Sequence, residues 1–151
     1  MEITLRNIQP VDEEFLFNVY ASTRVDEMSL VAWDDLQKET FLRMQFHAQH
    51  QQYQLTYPDA INQIIEFNGI PIGRLMVNRS ADETILVDIA LLPDFRNLGL
   101  GTSLLRSLQE EGKKITLHVI RSNPAVNLYQ RLGFIFVGER RSIQRWNGPP
   151  Q

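Results

Sequence analysis

Apolar and polar positions alternate along this chain in two different periods. Ile3, Leu5 and Ile8 are spaced among polar residues in the period-two manner of a short strand, which Pro10 ends. Asp12-Glu13-Glu14 puts acids in a first helical turn, where the macrodipole favours them. Phe15, Leu16, Val19 and Tyr20 continue as a helical stripe to about Arg24. Residues 25–35 read as a loop. A second helix is expected after Asp34 or Asp35, carrying Leu36, Phe41, Leu42 and Phe46 toward His50. From Asp59 the period changes back. Residues 61–67 and 71–77 read as two strands around Asn68-Gly69, a strong hairpin signal. After a turn at 80–83, residues 84–92 form a long apolar strand closed by Pro93. Leu100, Leu104, Leu105 and Leu108 mark one face of a helix over 99–110, and Gly112 stops it. Strand 115–120, helix 124–132 ended by Gly133, and strands 134–137 and 142–146 complete the order β-α-α-β-β-β-α-β-α-β-β. The fourth and fifth strands are joined through a helix, so they should run parallel. The expectation is an α+β domain on one mixed sheet.

Composition narrows the class. The 151 residues are 43% hydrophobic and 22% charged, ordinary for one soluble domain spanning 1–151. A chain of about 150 residues buries roughly 68–70% of its unfolded surface, enough for a core without metal or disulfide staples. Cysteine is absent, which excludes disulfides, thiolate zinc sites and a cysteine nucleophile. Fifteen basic against eighteen acidic residues leave a net charge of −3, a poor basis for non-specific nucleic-acid binding. No apolar run approaches the ~20 residues that span a bilayer. The first fifteen residues lack a signal peptide's apolar core. A cytoplasmic location is the expectation.

The candidate chemistry begins at Arg96-Asn97-Leu98-Gly99-Leu100-Gly101-Thr102, which follows a strand and opens a helix. Glycines there let a ligand approach the backbone. Unpaired N–H groups and the helix dipole then make an anion site, to which Arg96 adds positive charge. A Walker A loop would need Gly-Lys-Ser/Thr, and a Rossmann loop a third glycine where Leu104 stands. A capped helix start with a solvent-facing arginine is the plainer alternative.

A second segment, Asn123-Pro124-Ala125-Val126-Asn127-Leu128-Tyr129-Gln130-Arg131-Leu132-Gly133-Phe134, lies after the next strand. Together the two segments resemble the GNAT superfamily of acyl-CoA-dependent N-acetyltransferases, over roughly 84–137. Arg96, Gly99 and Gly101 match its first signature; Asn123, Ala125, Leu128-Tyr129 and Gly133-Phe134 match its second. The resemblance implies a GNAT-type fold: a central mixed, mostly antiparallel sheet of six to seven strands with about four helices. Its fourth and fifth strands are parallel and splayed.

The resemblance also implies roles. Backbone N–H groups of Leu98, Gly99, Leu100, Gly101 and Thr102, with Arg96 and Asn97 beside them, would hold the pyrophosphate of acetyl-CoA, an acyl-donor cosubstrate. Ala90, Leu91 and Leu92 would pair with its pantetheine, and the Leu91 N–H would polarise the thioester carbonyl. Asn123 would contact the coenzyme; it is also apt as a helix cap before Pro124. Tyr129 would be the general acid for the departing thiolate, since a phenol stays protonated near neutral pH. Some relatives carry a glutamate base where this chain has His118, and histidine can accept a proton near pH 7. Asp88, an acid inside an apolar strand, is the rival, and either would serve through a water chain.

Acids and an aromatic at Asp26, Glu27, Trp33, Asp34 and Asp35 would suit a cationic amine, although for Asp34 or Asp35 helix capping is the favoured reading. His47 and His50 have no further ligand nearby, so no metal is expected. Arg140, Arg141 and Arg145 form a basic group on the last hairpin. Trp146 reads as exposed and hints at a homodimer. The leading expectation is acetyl transfer to a primary amine, with no acyl-enzyme because cysteine is absent. The alternatives are a non-catalytic acyl-CoA-binding module and, weakly, a P-loop nucleotide binder.

Overall fold

The computed structural model describes residues 2–121, 123, 125–140 and 143–148. Seven strands form one sheet: β1 (Ile3–Asn7), β2 (Ile61–Phe67), β3 (Ile70–Arg79), β4 (Glu83–Leu91), β5 (Lys114–Ile120), β6 (Ile135–Arg140) and β7 (Ile143–Asn147). Their spatial order is β1-β2-β3-β4-β5-β7-β6. Every neighbouring pair is antiparallel except β4 with β5. The helices are α1 (Glu13–Ser22), α2 (Val25–Ser29), α3 (Asp35–Thr56), α4 (Leu100–Gln109) and α5 (Ala125–Arg131).

Local signals account for most of these boundaries. Asn68 and Gly69 adopt φ of 51° and 81°, the left-handed pair a tight hairpin needs, and set Phe67 opposite Ile70. Asp34 caps α3 by accepting from the Gln37 N–H at 2.8 Å, while Gln37 Oε1 accepts from the Asp34 N–H at 3.0 Å. Two expectations are corrected. Residues 25–29 close into α2 rather than remaining a loop, held by the Met28 N–H donating to the Arg24 carbonyl at 3.0 Å. Helix α3 continues past His50 to Thr56, because nothing before Tyr57 breaks it.

The sheet has a core on each face. Leu75, Val77, Leu86, Ile115, Leu117 and Trp146 pack against Leu104, Leu105 and Leu108 of α4 and Tyr129 of α5. On the opposite face Ile64 meets Leu16, Phe17 and Tyr20 of α1 and Leu42 and Phe46 of α3. Trp146 is only 5% exposed, and its ring meets Phe136 at 5.5 Å. This overturns the reading of Trp146 as an exposed contact, and with it that hint of a homodimer. The cause is its register opposite Leu117, which turns the indole into the core.

Candidate active site

The sheet opens at its centre. β4 and β5 pair only from Glu83↔Lys114 to Leu86↔Leu117. Beyond that, β5 continues against β7 while residues 87–91 of β4 face an open edge. Hydrogen-bond parity fixes what that edge presents. The Leu92 N–H donates to the Ile72 carbonyl at 2.8 Å, so Leu92 is turned toward β3. Alternation then points the N–H and C=O of Leu91 away from β3 and into the gap.

A bulge decides which way Asp88 faces. Met76 lies opposite Asp88 but Val77 opposite Leu86, leaving Val87 as an extra residue. Leu86 and Ile89 consequently pack into the same core. A regular strand would have sent Asp88 into that core with Leu86; the bulge turns it to the α1–α3 side, at the start of the opening. Arg74, Met76 and Asn62 share that side by register. Arg74 is 3% exposed. It donates to Asn62 Oδ1 at 3.1 Å and to the Met76 sulfur at 3.3 Å, and it lies over the Tyr53 ring at 5.6 Å. Its Nη1 stands 3.9 Å from the Asp88 carboxylate.

These surroundings tune the acid. Burial pushes the Asp88 carboxyl above the ordinary carboxylate range, while Arg74, the Ile89 backbone amide and Arg24 pull it back. The Asp88 side chain nevertheless keeps 26% of its surface open. Tyr129, 5% exposed, is pushed above the ordinary phenol value first by burial, then by Asp88 and Tyr53. Its phenol therefore stays protonated at neutral pH. Tyr129, Asp88 and Tyr53 form one electrostatic group. His118 shares the α1–α3 side but is exposed and lies opposite Arg145. Desolvation and then Arg145 push its imidazole below the ordinary value, against a pull from Glu83.

The glycine loop sits beyond the end of β4. Gly99 caps α4 with φ 81°, and Asn97 is left-handed at φ 62°. A Cβ on Gly99 would meet nothing within 4 Å, so its glycine answers a backbone requirement. Gly101 answers packing instead, because its Cβ would stand 3.2 Å from Leu128 Cδ2 of α5. The N–H groups of Leu100, Gly101 and Thr102 occupy the first turn of α4, where no intrahelical acceptor is available. Leu98 is exposed beside them. Asn123 Oδ1 accepts from the Ala125 N–H at 2.9 Å and so caps α5; Pro124 lies outside the described residues, as does Arg141.

Arg96 turns inward. Its Nε donates to the Leu91 carbonyl at 2.9 Å and its Nη2 to Ser22 Oγ at 3.3 Å. The acidic residues expected to line an acceptor site also have structural partners. Glu27 pairs with Arg24 at 2.9 Å, Asp34 caps α3, and Trp33 packs edge-on against Phe41 at 5.1 Å. Sequence reasoning missed Arg74 and Tyr53. Arg74 leaves a signal, a lone charge inside the apolar run 70–77. Tyr53 was hidden by ending its helix at His50.

Comparison with known proteins agrees with this geometry. The family model for the acetyltransferase (GNAT) family matches residues 25–134. N-alpha-acetyltransferase 20 of Dictyostelium discoideum is 30% identical over 95 residues, 55% of this chain and 54% of that protein. Mouse cysteine-rich protein 2-binding protein is 31% identical over 84 residues, 53% of this chain but only 11% of that protein. The chain thus spans a small part of the length of that relative. The crystal structure of the PaiA N-acetyltransferase from Thermoplasma acidophilum in complex with coenzyme A superposes with a TM-score of 0.70 at 18% identity. That match covers 98% of this chain and 99% of that one. With a divergent β4–β5 pair, a glycine-capped α4 and a family match over most of its length, the chain belongs to the acetyltransferase (GNAT) family.

Proposed function

We propose that this chain transfers an acetyl group from acetyl-CoA to a primary amine by direct attack in a ternary complex. The observation that carries the reading is the opening between β4 and β5, with the glycine loop beyond it and Asp88 and Tyr129 beside it. Bound acetyl-CoA would supply an activated acetyl thioester. The residues present suit it. The first-turn N–H groups of α4 match a pyrophosphate, and the Leu91 N–H, turned into the gap, matches an amide-bearing arm.

Each residue then has a defined task. The Leu91 N–H donates to the thioester carbonyl oxygen as negative charge grows there. Asp88 accepts a proton from the incoming ammonium, because only the free amine attacks. A carboxyl raised by burial is better suited to that than an ordinary one. His118 is the second candidate base, on the same side of the sheet but coupled to Arg145 and Glu83. Tyr129 gives its phenolic proton to the departing thiolate. The names of relatives such as N-alpha-acetyltransferase 20 support a peptide N-terminus as the acceptor class. No helix among the described residues is long and apolar enough to cross a membrane; a cytoplasmic site of action is part of the proposal.

The test is thiol release from acetyl-CoA across a panel of peptide N-termini, amino sugars and polyamines. Amine-dependent release with a matching acetylated product supports the reading. Coenzyme binding with no turnover on any amine favours a binding module instead.

A further inference from the structure

We propose that Arg96 is a positioning residue, one that braces the coenzyme side of the cleft against the acceptor side and leaves the phosphates to the loop backbone. The proposal rests on the acetyl-transfer reading above. The guanidinium reaches two separate elements. Nε donates to the carbonyl of Leu91, the last residue of β4, at 2.9 Å. Nη2 reaches Ser22, the last residue of α1, with its Oγ at 3.3 Å and its carbonyl at 3.5 Å. A cation at the carbonyl end of a helix is also favoured by the macrodipole. Only a planar fork makes both contacts from one head group; a lysine ammonium has no matching geometry.

The brace has consequences on both sides. Leu91 is the residue whose N–H faces the gap, and a bond to its carbonyl anchors the following peptide plane, which limits how far the residue and its N–H can swing. Ser22 lies two residues before Arg24, which follows the end of α1 and precedes α2. Arg24 lies over the Tyr20 ring at 5.2 Å and contributes to the field at Asp88 and Tyr53. Arg96 therefore sets the donor edge and the acceptor wall relative to each other. An arginine committed to two protein acceptors is not aimed at a ligand over the exposed loop.

The test compares two donors, acetyl-CoA and acetyl-pantetheine, the second lacking the pyrophosphate. A brace predicts that Arg96→Ala lowers kcat/KM about 10- to 100-fold with both donors and raises the KM for the amine. Arg96→Lys should fall nearly as far. Ser22→Ala, away from the loop, should weaken both donors a few-fold in the same direction, and it stands in if Arg96→Ala fails to fold. Hydrogen exchange of amides 20–29 should accelerate in Arg96→Ala, or in Ser22→Ala if Arg96→Ala does not fold; this readout needs no turnover. A loss confined to acetyl-CoA and rescued by lysine overturns the proposal, because that is how a phosphate ligand behaves. Unchanged exchange over 20–29 overturns it as well. If the parent protein turns over no amine, the acetyl-transfer reading fails while the exchange result still decides the brace.

Discussion

Gly73→Ala is expected to damage the site from the neighbouring strand. Gly73 lies opposite Leu91 in the β3–β4 register. A Cβ built there would stand 2.2 Å from the Ala90 carbonyl oxygen and 2.9 Å from Leu91 Cδ2. Backbone cannot yield as a flexible side chain does, and real Cβ contacts essentially never fall under 3.0 Å. The strands must therefore separate by roughly 0.8 Å at the edge proposed to hold the thioester. Overpacking of this kind costs about 1–3 kcal/mol of stability. A misplacement near 1 Å at reacting groups can cost about 10²-fold in rate. The assay is steady-state acetyl transfer alongside thermal unfolding. The prediction is a kcat/KM loss near two orders of magnitude in protein that is still folded at the assay temperature. Parental kcat/KM in the variant would refute the assignment of Leu91 to the thioester, whatever the melting temperature.

Other substitutions test the proton carriers and the frame. Asp88→Asn should lower kcat about 10²- to 10³-fold and remove the acid limb that Asp88 imposes on the pH profile. In the parent that limb should lie above the ordinary carboxylate range, because burial raises the group. A limb that persists in the variant would move the base role to His118. Tyr129→Phe should slow transfer about 10²-fold where chemistry limits the rate; unchanged single-turnover kinetics would remove the acid assignment. Asp12→Ala should cost about 1–3 kcal/mol, because Arg6 grips that buried carboxylate at 2.8 and 2.9 Å. Arg6 holds the Asp12 carboxyl below its ordinary value, so this stability is present above the unfolded carboxylate pKa. It is lost as pH falls through the lower folded value, and acid titration of the variant should lack that component.

The order of elements was legible because its signals are local. Asn68-Gly69 dictates a hairpin, Gly99 a helix start, and the leucine spacing of α4 a buried stripe. The parallel β4–β5 pair followed from the intervening helix alone. The orientation of Asp88 was not legible. It depends on the bulge at Val87, and a single extra residue inverts which face every later side chain takes. The inward turn of Arg96 was hidden for a related reason, since Ser22 lies far from it in sequence. Trp146 shows the same limit, because its burial is set by pairing with β5.

On the proposed reading, the coenzyme enters the opening between β4 and β5 with its phosphates on the first turn of α4. The most direct measurement is an amide chemical-shift titration of the isotope-labelled protein with coenzyme A. The largest changes are expected at 98–102 and 89–91, with much smaller ones on the far side of α4 near Arg79 and Glu111. Saturable binding that leaves both segments unmoved would contradict it.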